Sequence, residues 1–262
     1  MSEEILVNLT PMETRVAVVE NGAAKDIHIE RSGSRGIVGN IYAGKVVRVL
    51  PGMQAAFVEI GAERTSFIHV ADILPVDGEG KEDRSRQSDS IRDFVHEGQK
   101  LIVQVTKDPL GSKGARLSTQ LSVSSRYLVF MPQSDHVGVS QRIEEGAERE
   151  RLQALLAAGV ASEGMEGAGG YILRTAAEGV GEEEILADLR FLKRLWAAVS
   201  RRSAAATKPQ LLYEDLPLHL RITRDLARPG VERILVDSRE TVVALQEFCE
   251  QDVPEVQGLL DQ

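Results

Sequence analysis

Residues 39–70 have the sequence GNIYAGKVVRVLPGMQAAFVEIGAERTSFIHV, which predicts three short β-strands separated by tight turns. Apolar and β-branched residues dominate each run, while Pro51-Gly52 and Gly61 stand where the chain must turn. Two later runs of the same kind extend the pattern without an intervening helix. Five short strands joined by turns are typical of a small Greek-key barrel of the OB type. The predicted strands are 37–50, 54–60, 65–70, 100–107 and 115–121.

The segments on either side of these strands predict further strands together with helices, so the fold class is α+β. Residues 182–202 give the clearest helix, because apolar residues recur there at steps of three and four. Other helices are predicted at 147–158, 216–226 and 241–250. Other strands are predicted at 5–9, 15–20, 25–30, 127–131, 171–175 and 233–237. The remaining composition predicts a mobile polar loop at 77–89, a glycine-rich loop at 163–170 and a small-residue linker at 203–208.

Composition excludes several classes of protein. The 262 residues are 42% hydrophobic and 27% charged, as in ordinary globular proteins. The chain has no run of 18 apolar residues, so we predict no membrane span, and its acidic first residues argue against a signal peptide. Cys249 is the single cysteine, which excludes an internal disulfide and a cysteine-rich zinc site. We therefore expect a cytoplasmic protein.

Positive charge is concentrated in two stretches of an otherwise acidic chain. The net charge is −9, which argues against indiscriminate coating of nucleic acid. Residues 31–70, however, carry five basic side chains against two acidic ones, and residues 99–142 carry six against two. If both stretches fold together they form a local site for a polyanion, although solvated charges without function are the alternative.

Phe57 and Phe67 each lie five positions from Ala62, so a hairpin centred there places the two rings side by side. Exposed aromatic rings on neighbouring strands of an OB barrel are platforms for stacking single-stranded bases. Phenylalanines in strands can equally belong to the core, and the pattern alone leaves both interpretations open. Nearby basic residues favour the binding interpretation: Lys45, Arg64 and Lys113.

Several long motifs resemble the ribonuclease E/G family, and ribonuclease G more closely than ribonuclease E. The likeness covers essentially the whole chain, with the motifs in matching order and spacing. The motifs are NIYAGKV (40–46), AAFVEIGAER (55–64), KDPLGSKGARL (107–117), SRYLVFMP (125–132), VSQRIE (139–144), YILRTAAEGVGEEE (171–184) and RILVDS (233–238).

The resemblance implies a division of the chain into domains. Residues 36–122 would form an S1 RNA-binding domain, which has the OB fold. Residues 123–214 would form an α/β region that senses the 5′ end of RNA. The S1 domain would be inserted into a ribonuclease-H-like subdomain built from residues 1–35 and 215–262.

The same resemblance implies roles for individual residues. Arg174 and Thr175 match the pocket for the 5′-monophosphate of RNA, and the backbone of Val129 would help to close it. An arginine guanidinium suits this role because it donates two hydrogen bonds to phosphate oxygens. Without the resemblance, Arg174 and Thr175 would be taken as an ordinary strand end followed by a turn.

Further roles follow from the same motifs. Phe57 and Phe67 match the aromatic platform of the S1 domain, and Lys113 matches a basic residue that faces the RNA. Arg142 falls in a loop near the 5′ sensor. Ribonuclease E has two consecutive arginines in that loop, whereas this chain has Gln141-Arg142, and one charge fewer would weaken the grip on phosphate.

The resemblance also implies chemistry for which this chain has no residues. The family hydrolyses RNA with Mg²⁺ held by two aspartates of a DNase-I-like domain, and neither aspartate motif occurs here, nor does the zinc-link with its cysteine pair. Asp237 lacks a partner carboxylate at close spacing and is expected to be structural. The scattered histidines show no ligand spacing. We expect no catalytic residue and no cofactor within these residues, with Mg²⁺ and Zn²⁺ belonging to the full-length enzymes.

Three functional hypotheses follow. The first is the RNA-binding and 5′-monophosphate-sensing portion of a ribonuclease G-type single-strand-specific endoribonuclease, active in rRNA processing and mRNA decay. The second is a stand-alone S1 RNA-binding module with neither 5′-end sensing nor catalysis. The third is an interaction domain that has lost RNA binding, against which the phenylalanine pair, Arg174 and Thr175 argue. A further hypothesis is the Mg²⁺-dependent endoribonuclease itself, but the absent aspartate pair predicts that this chain alone is inactive. The expected partner is single-stranded RNA, preferably with a 5′-monophosphate, and homo-oligomers are possible as in full-length relatives.

Overall fold

The chain folds into two compact units, one formed by residues 1–36 and 216–262 and the other by residues 37–215. The computed structural model describes residues 2–75, 90–144, 146–226, 231–252 and 254–261. The loop predicted at 77–89 lies outside the described residues. Both the segment predicted as an S1 domain and the one predicted as a 5′ sensor belong to the second unit, and the boundary between them stays a prediction.

The described residues form strands and four α-helices in the following order. The strands are β1 (Glu3–Leu9), β2 (Glu13–Glu20), β3 (Ala23–Arg31), β4 (Ile41–Leu50), β5 (Ala55–Glu59), β6 (Ser66–His69), β7 (Lys100–Lys107), β8 (Arg116–Ser118), β9 (Val123–Ser124), β10 (Leu128–Met131), β11 (Val137–Val139), β12 (Gly170–Leu173), β13 (Gln210–Tyr213), β14 (Val231–Val236) and β15 (Leu260–Asp261). The helices are α1 (Ala147–Ser162), α2 (Glu182–Ala205), α3 (Leu218–Leu226) and α4 (Arg239–Asp252).

The first unit is a mixed five-stranded sheet with α3 and α4 packed on it. Its strand order is β15-β14-β1-β2-β3, with β1 parallel to β14 and antiparallel to β2. Asn21 and Gly22, both with positive φ, form the tight turn between β2 and β3 that the sequence predicted. Alternate residues of β1 are buried against the helices, which fixes the register because a shift by one residue would expose them.

Five strands of the second unit close into a barrel. The hydrogen-bonded order is β4-β5-β6-β8-β7, and β7 pairs back onto β4. This closed five-stranded barrel is consistent with the predicted OB-type fold. Its interior is filled by alternate strand residues: Val46, Ala56, Val58, Ile68, Val103, Val105 and Leu117.

The rest of the second unit places α1 and α2 against a four-stranded sheet of order β11-β12-β10-β9. Helix α2 buries the predicted apolar stripe, and Trp196 packs edge-to-face on Phe130 with ring centroids 5.8 Å apart. Predicted linker residues 203–205 are instead the last turn of α2, which serine and alanine extend without strain. After the helix, β13 joins the outer edge of β4.

Candidate functional site

Phe57 and Phe67 lie side by side on the barrel surface. The two residues are directly paired across β5 and β6, which confirms the register predicted from the hairpin. Phe57 is 38% exposed and Phe67 is half-buried, so neither ring belongs to the barrel core. Directly paired residues project from the same face of a sheet. The two rings therefore form one partly exposed aromatic surface.

Arginines flank this aromatic pair on both sides. Arg48 of β4 is in register with Phe57, and Arg116 of β8 is in register with Phe67. Arg116 donates hydrogen bonds of 2.8 and 3.1 Å to Asp72, and this partner raises the pKa of the guanidinium. Across β4, β5, β6 and β8 the order of side chains is thus arginine, phenylalanine, phenylalanine, arginine. Neither arginine was predicted as a site residue, because only the strand pairing shows that they flank the rings.

Arg64 and Lys113 stand on two loops that touch beside β6. The Arg64 guanidinium donates to the carbonyl of Gly111, and the exposed Lys113 forms a β-bridge with Leu110. The loops approach so closely that a Cβ on Gly114 would lie 1.9 Å from a backbone oxygen, which only glycine permits. The structure therefore brings two of the three predicted basic residues near the end of the aromatic pair.

Lys45 is exposed on β4, where it is in register with Glu59 of β5 on one side and Lys100 of β7 on the other. Glu59 is two residues from Phe57, so it projects from the same face of β5. Lys45 therefore lies on the same outer surface of the barrel as the aromatic pair, one rung further along the strands.

Arg174 and Thr175 lie at one end of the four-stranded sheet, where three chain segments meet. The Arg174 amide donates to the Tyr127 carbonyl at 2.7 Å, and the Ser140 amide donates to the Leu173 carbonyl at 2.8 Å. Thr175 is exposed and begins a short 3₁₀ turn. Residues 125–127, 140–143 and 173–175 thus converge, although they are distant in the sequence.

The Arg174 side chain is oriented by the backbone beside it. Its Nη1 donates to the carbonyl oxygens of Ser125 at 2.7 Å and Arg126 at 3.3 Å. A guanidinium is planar, so two such bonds from one nitrogen restrict the direction in which the rest of the group faces. The half-buried Arg174 side chain therefore has a fixed orientation in this structure.

Asp188 of α2 supports the other side of the same backbone segment. Its Oδ2 accepts hydrogen bonds from the Ser125 hydroxyl at 2.5 Å and the Tyr127 amide at 2.9 Å, and further bonds come from the backbone of Arg126 and Leu128. Burial raises the pKa of this carboxyl, and the hydrogen bonds oppose that shift. Asp188 was missed as a site residue, although an acid between Ile185 and Leu189 on an apolar helix face was a visible signal.

Arg142 and Val129 occupy different parts of this region. Arg142 is exposed in the 140–143 turn, and Arg149 holds that turn through bonds to the carbonyls of Ser140, Ile143 and Val139. The turn therefore lies beside the strand end that carries Arg174. Val129 is half-buried within β10, in register with Ile172, and so lies further inside the sheet than Arg174.

The described residues contain neither a cluster of metal ligands nor a membrane-spanning helix. Across the ranges given above, no three of the His, Cys, Asp and Glu side chains form a group that could hold a metal ion. No helix in that part of the chain is long and apolar enough to cross a membrane.

Comparison with known proteins gives consistent matches. Residues 122–261 match the Ribonuclease E/G family. The whole chain is 51% identical to Ribonuclease G of Escherichia coli K12 and covers 53% of that protein. It is 47% identical to Ribonuclease G of Haemophilus influenzae over 98% of its length, covering 52% of the relative, and 38% identical to Ribonuclease E of Nostoc over 81%, covering 30%. The chain thus spans about half the length of the ribonuclease G proteins that it matches. On the family match and on these identities, the chain belongs to the ribonuclease E/G family.

Proposed function

We propose that this chain is the RNA-binding and 5′-monophosphate-sensing portion of a ribonuclease G-type endoribonuclease that acts on single-stranded RNA in rRNA processing and mRNA decay. The observation that carries the proposal is the directly paired, partly exposed Phe57 and Phe67 with an arginine on either side. Rings in this setting can stack on bases, at about 1–3 kcal/mol per base, while the exposed Arg48 attracts the phosphates. A core role for the two rings would leave their exposure unexplained.

In this proposal the barrel is an S1 domain. Phe57 and Phe67 stack on bases, and Arg64, Lys113 and Lys45 add positive charge near the RNA backbone. Direct base stacking is tolerant of sequence, since every base has a π-face. The barrel would therefore capture single strands without a strong sequence preference.

The 5′-monophosphate would bind where residues 125–127, 140–143 and 173–175 converge. Arg174 supplies the guanidinium and Thr175 an exposed hydroxyl, with Arg142 on the adjacent turn. The oriented guanidinium supports this role, because a fixed donor loses less entropy when it binds phosphate. Val129 would contribute through the backbone of β10, although its place inside the sheet makes it the least direct of the four.

Cleavage itself is proposed to need parts of the family proteins that this chain does not span. In that view the Mg²⁺ and Zn²⁺ of the full-length enzymes bind outside these residues, and the chain works in the cytoplasm within a homo-oligomer. The first unit would be the ribonuclease-H-like subdomain. Its mixed five-stranded sheet with packed helices is compatible with that assignment.

Fluorescence anisotropy with matched RNAs tests the 5′-end proposal. A short single-stranded RNA carrying either a 5′-monophosphate or a 5′-hydroxyl is titrated with wild type and with Arg174→Ala. Hydrogen bonds to charged groups contribute about 1.5–3 kcal/mol, so we expect wild type to prefer the monophosphate by roughly tenfold or more. Arg174→Ala should remove this preference, and Arg190→Ala, which breaks an ion pair with Glu163 on the surface, should keep it.

The alternative, an S1 module without 5′-end sensing, predicts equal affinity for both RNAs in wild type and in Arg174→Ala. In either case Phe57→Ala should weaken binding of both RNAs alike, because stacking does not depend on the 5′ group. If Phe57→Ala binds as wild type does, the barrel face is not the RNA platform and the proposal fails at its first step.

A further inference from the structure

A crevice lined by three lysines lies between the barrel and the end of α2. Its walls are β4, β7 and the segment 203–209, and its volume is about 260 Å³. The floor contains apolar side chains, including Leu101 and Ile102, while hydroxyl groups come from Ser203 and Thr207. The lysines are Lys45, Lys100 and Lys208. A crevice of this size can admit a phosphate group together with part of its nucleotide.

The concentration of charge in the crevice is not explained by folding. Lys45 and Lys100 are directly paired across β4 and β7, and like charges in that position destabilise a sheet. Within the described ranges of the chain, no ion pair joins any of the three ammonium groups to a carboxylate, although Glu59 is in register with Lys45. Lys100 has a structural contact, since its Nζ donates to the Ala206 carbonyl at 3.4 Å. Among the described residues, no hydrogen bond of this kind involves the ammonium group of Lys45 or of Lys208.

Lys45 of the crevice lies on the same outer face of the barrel as the aromatic pair. Phe57 and Glu59 are alternate residues of β5, about 7 Å apart, and Glu59 is directly beside Lys45. Lys45 in turn is directly beside Lys100. A polyanion on the Phe57 face therefore needs to extend by two residues along the strand and two strand spacings across it, roughly 12 Å in all, to reach Lys100.

We propose that this lysine crevice, formed by Lys45, Lys100 and Lys208, binds a backbone phosphate of the single-stranded RNA whose bases stack on Phe57 and Phe67. The inference rests on the proposed RNA binding by the barrel. An anion between the lysines removes the repulsion of Lys45 and Lys100, and the hydroxyls of Ser203 and Thr207 can donate to its oxygens. The same chemistry would also accept the phosphate of a free nucleotide, so the experiment separates the two sources.

The test is the salt dependence of binding to a short 5′-hydroxyl RNA, which removes any contribution from a 5′-phosphate. Each phosphate neutralised on a single strand contributes about 0.7 to the slope of log affinity against log salt. Lys208→Ala should lower that slope by up to about 0.7 and weaken binding severalfold at low salt. Lys208→Arg should retain most of the affinity. Lys208 is chosen because Lys100→Ala would also disturb the end of α2.

Lys193→Ala is the matched control. Lys193 lies on α2, thirteen residues before Ala206 and thus roughly 20 Å from the crevice, and its Nζ donates to the Glu163 carbonyl. This distance exceeds the screening length at moderate salt, about 10 Å, so the control should bind RNA as wild type does. A generic effect of net charge would lower the slope equally in both variants and would overturn the proposal.

Other results are equally decisive. If wild type binds the 5′-hydroxyl RNA and Lys208→Ala has the same slope and affinity, the crevice proposal is wrong while RNA binding by the barrel stands. If wild type does not bind this RNA, the proposed function and the crevice fall together. If Lys208→Ala loses affinity for AMP but not for RNA, the crevice is a nucleotide site and our assignment to RNA is overturned.

Discussion

Asp188→Ala should destabilise the second unit more than any surface substitution on the same helix. The carboxylate accepts bonds from the Ser125 hydroxyl and from three successive backbone amides, those of residues 126–128. The hydroxyl keeps a partner after the substitution, since it also lies 3.1 Å from the Leu128 carbonyl. The amides do not, and an unsatisfied buried donor costs about 1–3 kcal/mol.

Three such amides would cost about 3–9 kcal/mol if all stayed dry, but water can enter the space left by the carboxylate. Removing a buried charge also removes its desolvation penalty, which is real here because burial raises the pKa of Asp188. We therefore expect a loss of about 3–5 kcal/mol in the free energy of unfolding, a large share of the roughly 5–15 kcal/mol that a domain has.

Urea unfolding followed by tryptophan fluorescence measures this loss. The chain has one tryptophan, Trp196, which lies on α2 two turns from Asp188 and packs against Phe130, so its signal reports on the second unit. The midpoint for Asp188→Ala should fall by about 2 M urea relative to wild type. Glu163→Gln, which weakens a surface pair with Arg190, is the control and should leave the midpoint close to that of wild type. Equal midpoints for the two variants would refute the role given to Asp188.

Two further predictions concern packing and pH. Gly114→Ala should destabilise the barrel by more than about 3 kcal/mol in the same urea assay, because the alanine Cβ would lie 1.9 Å from the Thr65 carbonyl oxygen. A variant as stable as wild type would mean that the loops carrying Thr65 and Gly114 separate easily. Hydrogen bonds from Arg151 and the Gly179 amide lower the pKa of Glu148 from 4.5 to about 2. The stability that the Glu148 carboxylate contributes is therefore present above pH 4.5 and is lost as the pH falls toward 2. Arg151→Ala should return that pKa toward 4.5 in an NMR titration, and an unchanged value would assign the shift to Gly179 alone.

The sequence predicted the elements whose signals are local. The β5–β6 hairpin has its turn residues midway between the two phenylalanines, so register followed from counting. Strand β7 was predicted at its observed limits, Lys100–Lys107, and α2 was predicted from its apolar repeat. In each case the pattern that predicts the element lies within the element itself.

Elements that depend on distant partners were missed. Strand β13 has only four residues and is defined by pairing with β4, about 170 positions earlier, while β11 is a three-residue strand set by β12. The same limit applies to the candidate site. Arg48 and Arg116 flank the phenylalanines only because β4 pairs with β5 and β8 pairs with β6, and no local pattern contains that information.

The structure also shows how a buried acid can orient the guanidinium of the proposed phosphate site. Two peptide groups lie between Asp188 and Arg174. The N–H groups of these peptides, on Arg126 and Tyr127, donate to Asp188. The carbonyl groups of the same peptides, on Ser125 and Arg126, accept hydrogen bonds from Arg174. Hydrogen bonds in such a chain polarise one another, so the carboxylate makes those carbonyls better acceptors for the guanidinium. Because Asp188 bonds the amides of this segment, it orients Arg174 through the intervening backbone. If the proposed 5′ sensor is correct, Ser125→Ala, which leaves these amide bonds intact, should preserve the preference for a 5′-monophosphate, whereas Asp188→Ala should reduce it.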